Sequence, residues 1–473
     1  MKEKPKMVLL LLALSQFLVV LDSAIINVAL PAIKQALNFD TSSLQWVITA
    51  YILTFGGFLM LGGRTADLFG RRKVLVGGMI GFTALSLLLG LTQDSTTLIV
   101  LRALQGLTAA FMSPAALSIL LTTFAKEEER NKALSIWSIV GSGGAAVGVF
   151  LGGLITQTLG WEWCFFVNVP VGIITILGIL KYVPVDQKGT ASKHLDLPGA
   201  VLITLGLMTL VFGLTQAPES GWFSSAVITP LVASAAMIAL FIWNETRAKH
   251  PLIPLAIFKQ RNITGANLVM LTFVAGGLGL FFFASLFVQN ILNYSPILSG
   301  LCFLPIPILI GVVSTHAPKL IGRFGIKPLL IVGAGLVALA MFILSFLTAE
   351  SSYWLHLLPA FVLMGVGMGL SFVSITISAT AGVPPEQAGL ASGLINTSNQ
   401  VGAALGVAVL AVVASATANA GLAAGQAPVI ATMHGYQQAF FWASIFLIIA
   451  LIIASLVIQS PKNTKSSAPI STH

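Results

Sequence analysis

Gly63-Arg64-Thr65-Ala66-Asp67-Leu68-Phe69-Gly70-Arg71-Arg72-Lys73 is a short charged passage between two long apolar runs. Pro318-Lys319-Leu320-Ile321-Gly322-Arg323-Phe324-Gly325-Ile326-Lys327-Pro328 echoes it 255 residues later. Two further echoes keep nearly the same offset. Leu37-Asn38-Phe39 returns as Leu292-Asn293-Tyr294, again 255 on, and Gly144-Ala145-Ala146-Val147-Gly148 returns as Gly402-Ala403-Ala404-Leu405-Gly406, 258 on. One such echo is weak; three that agree on an offset mark a duplicated architectural unit.

The surroundings say what kind of unit. The chain has 473 residues, 56% of them hydrophobic and only 8% charged, against about 25% charged in ordinary soluble domains. Mean hydropathy is +0.96. This composition excludes a soluble globular enzyme, a disulfide-stapled secreted domain and a disordered chain. The two cysteines, Cys164 and Cys302, lie in apolar stretches and read as small packing residues. Windows of about 19 residues give fourteen membrane-span candidates: 7–30, 44–63, 74–92, 96–121, 134–157, 163–182, 196–215, 226–244, 264–289, 297–317, 328–348, 353–378, 391–415 and 437–459. The apolar run after Lys2, Lys4 and Lys6 is too long for a signal-peptide core and lacks a small-residue cleavage site, so it reads as an uncleaved first helix.

Charge supports the count. With the N-terminus inside, 22 of the 24 Lys and Arg residues fall in cytoplasmic segments; Lys34 lies outside and Arg102 within a span. A miscount by one helix would scramble that asymmetry. The +9 charge and pI near 9.6 therefore reflect orientation in a bilayer rather than a nucleic-acid surface. The repeat offset equals eight helices. The expected fold is an all-α polytopic membrane protein with both termini cytoplasmic: a six-helix bundle over 1–183, linkers with two inserted helices over 184–260, a second six-helix bundle over 261–460, and a cytoplasmic tail over 461–473. Two parallel repeats place a substrate site near the membrane midplane, between halves that rock.

Among 15 acidic residues, Asp22 is the one deep in a span, about 22 Å from the inner face at 1.5 Å per residue. Arg102 lies at a similar depth, roughly 21 Å from the inner side of a 30 Å core. Each costs about 2.5–3.5 kcal/mol to insert alone, so the two are expected to meet or to share a wet cavity. The pair reads either as an ion pair that fixes the fold or as a titratable site. Asp67, a lone acid among cations with Gly63, Gly70, Arg71 and Arg72, is placed to dock against a helix N-terminus. Gly144, Gly148, Gly152 and Gly153 read as a close-packing face of the fifth helix. Gln16, Tyr51, Gln105, Trp137, Asn396 and Gln400 are candidate lining residues of a substrate cavity, chosen for polarity within spans. Phe281 to Phe283 and Trp46 are further pocket candidates, and His316, His356 and His434 read as boundary residues. No phosphate loop, metal-ligand spacing or nucleophile–base pair is present, so neither an enzyme, a metal, a cofactor nor ATP-driven transport is expected.

Several of these stretches resemble the major facilitator superfamily, and within it the fourteen-helix drug:proton antiporter branch. Residues 63–72 resemble its loop between helices 2 and 3, and Leu98-Ile-Val-Leu-Arg102-Ala-Leu-Gln105-Gly106 its helix-4 motif. Leu21-Asp22-Ser-Ala-Ile-Ile-Asn27-Val-Ala-Leu-Pro31 is similar to the helix-1 motif of the branch. Trp161-Glu162-Trp163-Cys-Phe-Phe-Val-Asn168-Val-Pro170-Val-Gly172 resembles the segment entering helix 6. The resemblance implies that Asp22 is the proton site, that Arg102 takes part in proton transfer, and that Asp67 latches the start of helix 13. Two departures stand out: Val149 where the helix-5 antiporter motif has proline, and Glu162 where the branch has arginine. No intramembrane carboxylate occurs in the second half, which favours lipophilic neutral or monocationic compounds over dications. The expectation is proton-coupled export of such compounds by a monomer in a bacterial cytoplasmic membrane. Nutrient uptake on the same fold is the alternative, and a non-transporting receptor is disfavoured because no loop is long enough for a sensor domain.

Overall fold

A computed structural model describes residues 5–39, 44, 46–124, 126–185, 196–248, 251–294, 296–348, 350–381, 383–384 and 387–459. Every regular element is a helix, with no strand among the described residues. The helices are α1 (Pro5–Ala36), α2 (Trp46–Phe69), α3 (Arg71–Leu91), α4 (Ser95–Thr123), α5 (Glu127–Thr158), α6 (Trp163–Tyr182), α7 (Leu197–Ser220) and α8 (Ser225–Arg247). There follow α9 (Arg261–Asn290), α10 (Leu298–Phe324), α11 (Ile326–Leu344), α12 (Leu358–Thr380), α13 (Ala388–Ala423) and α14 (Pro428–Val457). Thirteen helices among the described residues are long and apolar enough to cross a membrane. The remaining expected span, 134–157, lies within α5, which is not among those thirteen. The expected tail 461–473 lies outside the described residues, as do Lys2, Lys4, Lys188, Lys193 and Lys249.

Prolines punctuate the helices where the sequence puts them. Pro170 removes the N–H that would reach back to Phe166, and α6 breaks there into Trp163–Phe166 and Asn168–Tyr182. Pro305 does the same in α10, where one helical segment ends at Phe303 and the next begins at Pro305. Asp94 caps α4 by accepting the Thr97 N–H at 2.7 Å, which holds this exposed carboxyl below its ordinary range.

The repeat seen in the sequence is a repeat in the backbone. Gly70 and Gly325, 255 residues apart, both take positive φ (105° and 87°) at the junctions α2–α3 and α10–α11, a conformation glycine adopts without a Cβ clash. Asn38 and Asn293, also 255 apart, are the two non-glycine residues with positive φ among those described, at 51° and 55°. Helix pairing repeats as well. α1 packs on α5 and α6, α2 on α4, and α3 on α4 and α6; α9 packs on α13 and α14, α10 on α12, and α11 on α12 and α14. Across the middle, α2 lies on α13 and α5 on α10, two contacts that the repeat interchanges. The inserted helix α7 lies against both α2 and α13, and α8 packs on α7.

Glycines set the closest approaches, and here the repeat is chemical. On α5, a Cβ at Gly148 would stand 2.6 Å from Ala24 Cβ of α1, and one at Gly152 would stand 2.9 Å from the Ile25 carbonyl. On α13, Gly402 and Gly406 press in the same way on the backbone of Leu271 and Ala275 in α9, with a Cβ at Gly406 only 2.6 Å from Ala275 Cα. Small residues at helix interfaces let backbones approach where lipid supplies no hydrophobic driving force between helices. Gly406→Ala is therefore expected to lower thermal stability in detergent by about 1–3 kcal/mol through overpacking. Gly311→Ala, with nothing within 4 Å of the added carbon, is expected to leave the melting temperature unchanged or slightly raised.

Candidate functional site

Asp22 and Arg102 meet in a buried cluster built from five helices. Asp22 on α1 is fully buried and Arg102 on α4 is 1% exposed. Arg102 Nη1 donates to Asp22 Oδ2 and to Gln105 Oε1, each at 2.6 Å, and its Nε donates to the Val47 carbonyl of α2 at 3.1 Å. Gln105, one turn along α4, donates through Nε2 to Asp22 Oδ1 (3.1 Å) and to Ser86 Oγ of α3 (2.9 Å). Asn168, at the break in α6, donates to the same Oδ1 at 2.9 Å. The Tyr51 ring covers the guanidinium at 4.3 Å from its centroid, with the Phe165 ring further off at 6.0 Å. Both carboxylate oxygens are satisfied, as a buried charge requires. Asn168 Oδ1 is buried with no donor, so the cluster carries a spare acceptor.

Local sequence explains the placement. Arg102 and Gln105 are three apart and so share a face of α4. The Pro170 break frees Asn168 to sit at a helix start facing α1. The sequence reading brought Asp22 and Arg102 together and counted Tyr51 and Gln105 among cavity residues; the structure puts the last two in the ion-pair cluster itself. Asn168 stood in a quoted motif without a role, and Ser86 was missed. The one available signal was an amide or hydroxyl in an apolar span.

A second polar seam crosses from the first half to the second. Ser113 Oγ of α4 lies 2.9 Å from Gln16 Oε1 of α1 and 3.5 Å from Asn396 Oδ1 of α13. Two neighbouring residues of α13 continue it: Ser398 Oγ donates to Asn267 Oδ1 of α9 at 2.9 Å, and Asn399 reaches Met270 Sδ at 3.8 Å. Gln400 is half-buried where α13 faces Gly56 of α2. Trp137 is buried in the main apolar core. Trp46 stacks on Phe212 of α7, Phe281 leans on Phe303, and Phe283 meets Tyr436 and Phe440; the Phe282 side chain lies outside the described residues. His316, His356 and His434 are exposed or half-buried and bonded locally, to Val312, Ser352 and Gln426.

At the end of α2, Asp67 reaches the N-terminus of α13. Its Oδ1 accepts the Gly389 N–H and its Oδ2 the Leu390 N–H, both at 3.0 Å. Arg71 Nη2 and Nε donate to Oδ1 at 2.9 and 3.2 Å, and Arg72 donates to the Leu180 carbonyl at 2.5 Å. A carboxylate accepting the free N–H groups of a helix start is stabilised by hydrogen bonds and by the helix dipole. The approach is possible because Gly63 and Gly389 face one another: a Cβ on either would strike the other's carbonyl. Further along, Gly393 packs on the Leu59 carbonyl and Leu53 on Ala404 and Ala408, so α2 and α13 touch along most of their length.

A family model described as the Major Facilitator Superfamily matches residues 12–407. The puromycin resistance protein pur8 of Streptomyces alboniger is 41% identical over 460 residues, covering 96% of this chain and 91% of that protein. The cephamycin export protein CmcT of Amycolatopsis lactamdurans is 38% identical over 464 residues, covering 98% and 93%. The tetracenomycin C resistance and export protein of Streptomyces glaucescens is 36% identical over 415 residues, covering 87% and 76%. Among solved structures, the human organic anion transporter MFSD10 superposes with a TM-score of 0.66 at 15% identity, covering 96% of this chain and 100% of that one. The proton:xylose symporter XylE superposes at 0.63 and 16% identity, covering 94% and 95%; at such identities these two speak for the fold alone. With the family model spanning most of the chain and the relatives aligned nearly end to end, this multi-pass membrane protein belongs to the Major Facilitator Superfamily.

Proposed function

We propose that the chain is a proton-coupled antiporter that exports small lipophilic or amphipathic compounds by alternating access. It would do so as a fourteen-span protein of the bacterial cytoplasmic membrane, with both termini in the cytoplasm and six-helix bundles over 1–183 and 261–460. The relatives named for puromycin resistance, cephamycin export and tetracenomycin C resistance and export support the direction and the substrate class. The observation that carries the coupling is the cluster at Asp22: one buried carboxylate, held by one guanidinium and two amides, tying α1 to α2, α3, α4 and α6.

The chemistry follows from charge. A proton on Asp22 removes the partner of a buried guanidinium, and an unpaired buried charge costs several kcal/mol. Arg102 then keeps the Val47 carbonyl and Gln105 Oε1, and the hold of α4 on α1 loosens. The spare Oδ1 of Asn168 is the acceptor that the new O–H would find once its amide turns. Substrate would bind at the seam of Gln16, Ser113 and Asn396, where the two halves meet and where repeat transporters hold their cargo. Asp67 at the start of α13 would act as a latch, with Gly63, Gly70, Arg71 and Arg72 shaping it, favouring the state in which that end is shut.

Inverted membrane vesicles, acidic inside, test the reading. Tetraphenylphosphonium and a panel of neutral antibiotics should discharge the gradient through the wild type and not through Asp22→Asn. A gradient untouched by every compound, with whole cells that accumulate one of them through this protein, would replace export by uptake. Arg102→Met strands the Asp22 carboxylate and should cost roughly 3–5 kcal/mol of stability. The double variant Asp22→Asn/Arg102→Met should regain most of that loss by thermal melting while remaining uncoupled; a double variant that still discharges the gradient would make the pair a fold-fixing bridge only. Asp67→Ala should move the conformational equilibrium at its end of α2 about ten- to hundredfold toward the open state, as loss of charge-assisted bonds of about 1.5–3 kcal/mol dictates. Thiol accessibility at the α2–α13 junction would read that shift.

A further inference from the structure

The inserted pair α7 and α8 stands apart from the Asp22 cluster, yet it holds a buried carboxylate of its own. Glu245, in the last turn of α8, is 5% exposed. Both of its oxygens accept backbone N–H groups, Oε1 from Leu252 at 3.2 Å and Oε2 from Ile253 at 2.9 Å. Those donors belong to the strap 251–260, which joins α8 to α9 and ends in a short 3-10 turn, Leu255–Lys259. Asp196 braces the same corner. It caps α7 by accepting the Gly199 N–H at 3.0 Å and accepts Asn244 Nδ2 at 2.6 Å. A Cβ at Gly199 would be pressed against Asp196 Oδ2 and Glu245 Oε1 together, so the glycine is what lets the Glu245 carboxylate of α8 sit so close to α7.

The strap lies where the two halves join. Leu252, Ile253 and Ile257 are buried in one apolar cluster with Met60 of α2, Ile203 and Leu207 of α7, and Leu390 and Leu394 of α13. Leu390 takes part in both arrangements: its N–H is bound by Asp67, and its side chain belongs to the apolar cluster that holds the strap's buried residues. A strap fastened to α8 therefore shares one apolar cluster with α2 and α13, including the residue whose N–H Asp67 holds.

We propose that Glu245 is a positioning residue for the α2–α13 junction, a clasp that keeps the strap 251–260 seated across the two helix ends and so favours their closed arrangement. This rests on the reading that α2 and α13 part at that end during transport. The inserted helices then anchor a brace that α2 and α13 must shed to separate. A carboxylate that served the α8–strap turn alone would need no apolar seat drawn from α2 and α13. The Glu245 side chain supplies the acceptors for both the Leu252 and the Ile253 N–H, so removing it should be felt at the junction as well as at the turn.

The test is a distance measurement by pulsed electron resonance on the full chain in lipid nanodiscs, with Cys164 and Cys302 replaced by Ser. Spin labels go at Phe69 and Phe324, exposed at the ends of α2 and α10 and equivalent under the repeat. Distances are read with and without tetraphenylphosphonium. The wild type should show a closed and a separated population. Glu245→Ala should raise the ratio of separated to closed about tenfold, the worth of losing two backbone hydrogen bonds. Glu245→Gln keeps one acceptor and should fall between. Ile253→Ala thins the apolar seat with Glu245 intact and should shift the ratio in the same direction, which keeps the question decidable if Glu245→Ala does not fold. Two wild-type populations with an unchanged ratio in folded Glu245 variants, whatever their melting temperature, would overturn the clasp and leave the transport reading standing. A wild type fixed at one distance would overturn both.

Discussion

A guanidinium inside a hydrocarbon layer must be neutralised, and much of the first half of this protein is arranged to do it. Arg102 takes Asp22 from α1, Gln105 from its own helix, a carbonyl from α2 and a ring face from Tyr51. Asp22 in turn needs more than one donor and draws Asn168 from α6. The α6 break and the approach of α3 through Ser86 both serve that one requirement. A change in its charge is therefore felt by five helices at once, which is the physical reason for seating the proposed coupling there.

The second constraint is the contact of α2 with α13. Backbone meets backbone at Gly63 and Gly389, and Asp67 closes the contact on two N–H groups that a helix start leaves free. Such a joint is strong when shut and leaves few groups unsatisfied when parted, because Arg71 already holds the carboxylate. Asp67 binds the Leu390 N–H, while the Leu390 side chain shares an apolar cluster with the strap's Leu252, Ile253 and Ile257. The repeat gives α5 and α10 the counterpart contact, without an acid in that place: Gly322 stands where Asp67 does. The two halves share a fold but not a latch.

Much of this was legible beforehand because the bilayer simplifies the code. Helix positions followed from apolar length, and the duplication from Gly70 with Gly325 and Asn38 with Asn293, which the backbone repeats as positive φ. Asp22 and Arg102 could be paired from depth alone, since lone charges there are costly. Asp67 was legible as an acid seeking a helix N-terminus, though its partner came from the family resemblance. Tyr51 and Gln105 read as cavity-lining residues but stand in the ion-pair cluster, and Trp137 reads as a lining residue but packs in the core. Glu245 was passed over because it stands at the end of a span, where a carboxylate is expected to meet water.

Sequence by itself determined the class of solvent, the rough bounds of most apolar segments, the internal repeat, and which charges must find partners. Those are one-dimensional properties, set by hydropathy, by charge and by the backbone demands of glycine and proline. Tertiary structure decided which donors Asp22 receives, that Asn168 Oδ1 is left without one, and that Ser113 joins Gln16 to Asn396 across the halves. It also decided that the strap 251–260, far upstream of Leu390 in the chain, shares an apolar cluster with it, since nothing in local pattern encodes which distant side chains a buried residue will meet.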